Sequence, residues 1–290
     1  VRLIETALDH AGLRTASRRV CQNRSPDKHE DMRIITLNVN GVRSAARKGL
    51  FAWLPTQQAD IVCLQETKAQ EHQLADACFR PKSYQCCYID AVKKGYSGVA
   101  IYARRPPDKF IKGSGFEEFD PEARYLEARF GKLSVISFYL PSGATSEMRQ
   151  TAKFRFMDLF LPYLKKLRRS RREYIICGDW NIARKPIDLK NWRSNQKRSG
   201  FLPEERAWLD VVFGEVGWVD AYRYLHPNTQ GKSYTWWSNR GQAWAKNVGW
   251  RIDYQVVTPG FKDKIQHAWV YKDQRFSDHA PLVIDYDLKL

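Results

Sequence analysis

No run of apolar residues in this chain approaches the roughly 20 that a membrane span requires. Its first residues also lack the continuous apolar stretch of a secretory signal. Both absences lead to the expectation of a soluble, cytoplasmic protein with no membrane partner. Cysteine is scarce too: six in 290 residues, with no Cys-x-x-Cys pair and no histidine spacing suited to zinc. That excludes a disulfide scaffold and a zinc finger, and it fits a reduced intracellular protein. Acid is short relative to base, with 32 Asp+Glu against 48 Lys+Arg and a formal charge of +16. Such an excess favours a polyanionic partner without saying which. What the chain has in quantity is aromatic surface, 10 Trp, 14 Tyr and 14 Phe. Rings interleaved with Lys and Arg suit bases and sugars strung on a phosphate backbone.

Residues 1–31 differ in character from the rest of the chain: six basic against five acidic side chains leave them a net charge of about +1. They read as a disordered extension, or as upstream sequence taken in by an early start site, with a single catalytic domain over residues 32–290. From Met32 onward, short runs rich in Val, Ile, Tyr and Phe recur between turn residues, among them "RIITLNV", "DIVCLQET", "LSVISFYL" and "YIICGDWN". Apolar positions at three- and four-residue steps predict an amphipathic helix over Glu147–Arg169, kinked at Pro162. A weaker helix is predicted in "FLPEERAWLD". Strands outnumber helices without strict alternation, so two packed sheets with helices outside are expected. The stretch "NVGWRIDYQVV", residues 247–257, reads as one buried strand holding a single acid, Asp253. An isolated buried charge is costly, so either a cation or a histidine partners this carboxylate, or the stretch is not the strand it reads as.

Polar residues close these strands all along the chain. Asn38 and Asn40 follow the first, Glu66 the second, Tyr139 ends "ISFYLPSG", Asp179 and Asn181 end "IICGDWN", and Asp278 and His279 precede the last. Each fragment alone has a plain structural reading as a turn or a solvated loop. Recurring together at strand ends, they describe a rim on which a rigid scaffold can hold reacting groups.

The blocks "LNVNG", "LQETK", "GDWNIA", "NVGWRIDY" and "SDHAPL", in this order, resemble the signature blocks of the exonuclease III and apurinic/apyrimidinic (AP) endonuclease family of DNase I-like phosphodiesterases. The resemblance runs from about Met32 to Leu290, and "NQKRSGFLPEERAWL" narrows it toward the AP endonuclease branch. It implies a four-layer αββα sandwich of two mostly antiparallel, mixed sheets, and a magnesium-dependent hydrolase acting on double-stranded DNA at abasic sites or 3′ ends. A hard divalent cation suits phosphodiester cleavage and takes oxygen ligands. Glu66 is the first choice of ligand; the resemblance adds Asn40 and Asp278 and sets Asp179 and Asn181 around the same ion, with manganese as a substitute. It further implies that Asp179 activates the attacking water and that Asn181 and Asn38 hold it and the phosphate. Asp253 would orient His279, which donates to the scissile phosphate. Tyr139 would either donate to the phosphate or, with a lowered pKa, transfer a proton.

Trp236, Trp250 and Ile252 correspond to family positions lining a pocket for a bare deoxyribose. Arg43, Lys48, Lys246, Lys93 and Lys94 would grip phosphates, and Arg240 stands on a loop able to enter the duplex. Ser142 and the "ATSE" after it depart from relatives that carry Asn or Gln, and then Arg, in this region. The departure bears on the balance among AP-site incision, exonuclease action and 3′-end cleaning. The alternatives are a 3′-end-processing exonuclease with little AP endonuclease activity, a lipid or small-molecule phosphodiesterase, and a non-catalytic DNA-binding protein. A monomer in the bacterial cytoplasm, associated with DNA, is expected.

Overall fold

In the computed structural model, which describes residues 31–290, the first strand already shows how the layers arise. Along Met32–Asn38 (β1) side chains alternate sides, and every residue is buried. Ile34 packs into an apolar layer with Ile61, Val99, Val135, Ile175 and Val257. Ile35 and Leu37 pack on the other face with Leu50, Trp53 and Leu54 from the helical turns after it. A strand buried on both faces is a central strand of a covered sheet.

The remaining strands are Ile61–Gln65 (β2), Gln85–Ile89 (β3), Val99–Ala103 (β4), Lys109–Lys112 (β5), Tyr125–Phe130 (β6), Leu133–Tyr139 (β7) and Glu173–Asp179 (β8). They continue as Val219–Asp220 (β9), Trp236–Trp237 (β10), Gly249–Trp250 (β11), Asp253–Val257 (β12), Ile265–Val270 (β13) and Leu282–Tyr286 (β14). Two six-stranded sheets result, in the orders β13-β14-β1-β2-β4-β3 and β5-β6-β7-β8-β12-β9, with β10 and β11 as a separate ribbon. Each large sheet has one parallel pair, β1 with β2 and β7 with β8, and is otherwise antiparallel. This is the expected four-layer sandwich of mixed sheets.

The helix over Glu147–Arg169 has its predicted bounds. Ser146 caps it by accepting from the Arg149 amide, and Lys166, Arg168 and Arg169 complement the dipole of its last turn. It continues through Pro162, and its stripe of Phe156, Met157, Phe160 and Leu164 covers the outer face of the second sheet at Ile136, Phe138, Ile176 and Val256. Each such side chain contributes about 1.5–3 kcal/mol by leaving water. Phe160→Ala would cost about 3–5 kcal/mol, since Phe160 stacks on Phe138 at 4.5 Å and is fully buried. The weaker helix is present at Pro203–Asp210.

The run 247–257, expected as one strand, is broken in two. Gly249–Trp250 pairs with Trp236–Trp237, Arg251 and Ile252 lie outside any strand, and β12 starts at Asp253. The break lets Trp250 and Asp253 serve different sheets. The expected extension over 1–31 lies, apart from Asp31, outside the described residues.

Candidate active site at the rim between the sheets

Strand parity carries the apolar inter-sheet layer into a polar one at a single end of the sandwich. On β8, Ile175 and Cys177 face the other sheet, so Asp179 does as well; on β12 the same holds for Val257, Gln255 and Asp253. Gln65 accepts from Thr36 of its own sheet and donates to Ser137 of the other, and Asn38 on β1 and Tyr139 on β7 extend that face to the rim. Register then sets neighbours: Asp179 lies opposite Tyr139 on one side and Asp253 on the other.

Three further site residues follow strands with left-handed backbones, Asn40 (φ 42°), Glu66 (φ 51°) and Asn181 (φ 50°). For Glu this conformation costs about 1 kcal/mol or more and persists only where surroundings impose it. Here the imposing contacts are the Gly41 amide on the Glu66 carbonyl at 2.8 Å and the Asn181 amide on Asp179 Oδ1 at 2.8 Å.

Asn38 joins the halves. Its Nδ2 donates to Glu66 Oε1 at 2.7 Å and to Asp179 Oδ2 at 2.9 Å. His279 Nδ1 lies 2.9 Å from Asp253 Oδ2, and its Nε2 lies 3.9 Å from Asp179 Oδ2. Ser277 sets this segment by donating to the Asn38 carbonyl at 2.7 Å and accepting from the His279 amide at 2.9 Å. Thr235 Oγ1 accepts from the amides of Ile252 and Asp253.

The electrostatics separate the acids. Burial works against a charged His279 ring, but the Asp253 carboxylate, aided by Asp179 and Asp278, overrides it and pushes the pKa up to about 10. Burial, and then the charge of Asp253, push Asp179 up to about 7, with Glu66 adding to the rise and His279 opposing it. A carboxylate so placed is half ionised near neutrality, which suits a general base. Burial alone would raise Glu66, yet Lys68 and the Asn38 amide hold it below the ordinary carboxylate range; Asp278 is held low by His279, Asn40 and Trp236 despite its burial. Burial and the nearby Glu66 charge push the Tyr139 phenol well above its usual value, so it stays a donor and the proton-transfer alternative loses its condition.

Which groups fit a cation is visible in what Lys68 does. Its ammonium sits 2.7 Å from Glu66 Oε2 and 2.6 Å from Asn40 Oδ1, a positive charge held by hard oxygens. Asn40 Nδ2 in turn donates to Asp278 Oδ1 at 2.9 Å, completing a set of oxygen donors that suits a hard divalent cation. Asp179, Asp253 and His279 also place one ligand atom each within 4.8 Å of one another. Since Nδ1 of His279 is already engaged by Asp253, that trio is better suited to handling protons.

A cavity of about 1,100 Å³ opens over these groups. It is lined by Asn40, Glu66, Tyr139, Asp179, Asn181, Asp278 and His279, together with Trp236, Trp250, Ile252, Ser142 and Arg240. Trp236 and Trp250 meet edge to face at 6.2 Å, and Trp236 Nε1 donates to Asp278 Oδ2 at 3.1 Å, so the apolar wall adjoins the acids directly. Asn38 and Asp253 lie fully buried behind it. Lys48 lines a side hollow of about 280 Å³ that it shares with Asn40 and Asp278. Arg43, Lys246, Lys93 and Lys94 are exposed and belong to neither lining. Lys68, Ser277 and Thr235 were not assigned from sequence, although Lys68 and Ser277 lie in quoted blocks and Thr235 directly precedes Trp236; Lys68 stands two residues past Glu66 and is a cue readable in retrospect.

The model of the Endonuclease/Exonuclease/phosphatase family matches residues 35–279. The chain belongs to that family. An exodeoxyribonuclease of Bacillus subtilis is 38% identical over 252 residues, covering 87% of this chain and 98% of the relative. Among solved structures, an AP endonuclease from Archaeoglobus fulgidus is similar with a TM-score of 0.80 and 29% identity, over 89% of this chain and 100% of the other. A 3′ phosphatase, NExo, from Neisseria, bound to a product DNA hairpin, is similar with a TM-score of 0.79 and 25% identity, over 89% and 100%. This family member is a phosphodiester-hydrolysing nuclease.

Proposed function

We propose that this nuclease is a magnesium-dependent DNA repair enzyme. It cleaves duplex DNA on the 5′ side of abasic sites, with associated 3′ to 5′ exonuclease and 3′-phosphodiesterase activity. The observation that carries the reading is the apolar wall of Trp236, Trp250 and Ile252 set against a cavity full of acids. An abasic nucleotide has little stacking to lose, so turning it out of the helix costs least at the lesion. A pocket walled by rings and an isoleucine admits bare deoxyribose and excludes a sugar carrying its base.

Glu66, Asn40 and Asp278 would hold the magnesium ion, which supplies charge to the phosphoryl oxygens and the departing 3′ oxygen. Asp179, oriented by the Asn181 amide and Asn38, takes a proton from the attacking water. His279, kept protonated by Asp253, donates to the phosphate oxygen on which charge accumulates. Tyr139 donates a further hydrogen bond to that phosphate. The exposed Arg43, Lys48, Lys246 and Arg240 hold flanking phosphates without reading sequence. The enzyme is taken to act as a monomer. Among the described residues no helix is long and apolar enough to cross a membrane, compatible with work on DNA in the bacterial cytoplasm.

Ser142 and Thr145 in the cavity lining favour a second reading, 3′-end processing with weak AP incision, because a short hydroxyl there leaves room for a frayed end. A labelled duplex with one internal abasic analogue, compared with a nicked duplex ending in 3′-phosphoglycolate, separates the two. Magnesium-dependent incision at the internal site, at a rate no lower than end cleaning, is expected. End cleaning alone would favour the second reading, and no cleavage of either would reject both.

A further inference from the structure

The stripe that the long helix turns inward is apolar except at Lys153, which is fully buried. Its ammonium donates to the Asn181 carbonyl at 2.8 Å and to Glu205 Oε1 at 2.6 Å, and Glu205 is fully buried too. Glu205 Oε2 accepts from the amides of Gly200 at 2.7 Å and Leu202 at 3.0 Å, so the pair also ties down the segment 196–202, several of whose residues line the cavity. Gly200 is wedged between two parts of the site. Its φ is +91°, its carbonyl accepts from the Ala183 amide at 2.8 Å, and an added Cβ would lie 3.1 Å from the Asn181 carbonyl oxygen and 3.3 Å from the Trp250 ring.

A hydrophobic pair of similar volume would serve stability about as well as a buried ion pair. What the ion pair adds is direction. By drawing the Asn181 carbonyl toward the helix, Lys153 keeps that residue left-handed, with its amide on Asp179 Oδ1 and its side chain between Leu140 and Asp179. By holding Gly200, Glu205 sets the floor on which Trp250 rests.

We propose that Lys153 and Glu205 are positioning residues that lock the water-activating turn at Asp179–Asn181 and the sugar-pocket wall at Trp250 into one rigid unit. The proposal rests on the nuclease reading for its effect on rate, whereas the mechanical coupling stands on geometry alone.

The test is the double variant Lys153→Met/Glu205→Gln beside its two single variants. The singles leave one buried partner without its counterion and lower the denaturation midpoint. In the double, the introduced glutamine keeps an acceptor for the Gly200 and Leu202 amides, and once the Gln150 amide, whose Nε2 donates to Glu205 Oε1 in the native arrangement, turns over, the new Nε2 donates to Gln150 Oε1, a buried atom otherwise without a partner. The double should therefore regain most of the lost midpoint. Its kcat on abasic duplex should stay about 10- to 100-fold down, with KM within about threefold of wild type. Hydrogen exchange should quicken in segments 180–183 and 198–202 and stay unchanged in β1. A stable double variant with wild-type kcat and unchanged exchange would overturn the proposal. A wild-type protein inert toward DNA would count against the nuclease reading instead, while exchange in the same variants would still decide the coupling.

Discussion

Replacing Asp253 by Asn isolates the charge of the buried acid from its shape. Asn keeps the volume and an acceptor oxygen for the Nδ1–H of His279, but removes the counterion that, against the effect of burial, pushes the ring from its ordinary 6.5 up to about 10. The raised value means that the stabilisation is fully present below pH 6.5 and disappears as pH climbs through 10, at about 1.4 kcal/mol per unit. At pH 7.5 it amounts to about 3 kcal/mol. Relief of repulsion between Asp253 and Asp179 returns part of this, so a net loss of about 2 kcal/mol is expected. In the variant the ring is neutral at pH 7.5, with its one proton on Nδ1 facing the new amide and a bare Nε2 facing the cavity. It can no longer donate to a phosphate oxygen, which should lower turnover by about 100- to 1,000-fold. Urea denaturation of both proteins at pH 7 and pH 9.5, with single-turnover cleavage at pH 7.5, reads out both effects. A stability gap equal at the two pH values, or turnover within threefold of wild type, would refute the reasoning.

Asp179→Asn should abolish most turnover yet leave the protein at least as stable at pH 8. The wild-type carboxyl is raised to about 7 by burial and Asp253, so ionising it costs folding energy as pH rises from 3.8 through 7. A lower melting temperature for this variant in chelator at pH 8 would contradict that. Glu66→Ala should likewise end turnover with the fold intact by circular dichroism; near-wild-type rates in magnesium would remove Glu66 from its role. Lys68→Ala removes the ammonium from Glu66 and Asn40, and calorimetric titration with manganese should show affinity rising roughly fivefold, the equivalent of about 1 kcal/mol. Weaker binding would show that Lys68 assists the ion rather than standing in its place. If about six phosphates are held, log affinity for DNA should fall with log salt at a slope of about −5, and a slope near zero would exclude backbone binding.

The layers were legible in the recurring strand-like runs, and the site residues in the polar groups that close them. The structure adds the two-residue repeat that turns them inward: with Ile175 and Cys177 facing the other sheet, Asp179 follows, and the same parity places Asn38, Tyr139 and Asp253. The helix at Glu147–Arg169 was equally plain, since its apolar stripe, Ser146 cap and basic end agree. Less visible was anything requiring a particular backbone twist. Nothing in "LQETK" announces that Glu66 and Lys68 both adopt positive φ, which turns the lysine back onto the glutamate. The strands Lys109–Lys112 and Val219–Asp220 escaped notice because each is at a sheet edge and too short to display a period. The break after Trp250 was hidden by the unbroken two-residue alternation of apolar and polar residues through "GWRIDYQVV", where Arg251 is buried against Asp188 and Asp220 rather than exposed as a loop arginine would be.

Because Asn38 and Glu66 come from one sheet while Asp179, Asp253 and Tyr139 come from the other, the site exists only while the two slabs keep their alignment. A slippage of about one ångström across their oily seam would leave every ladder of backbone bonds whole and still part the Asn38 bridge. During gentle denaturation, then, cleavage should fade before the far-ultraviolet signal does, making the enzyme's own turnover a gauge of shear between its halves.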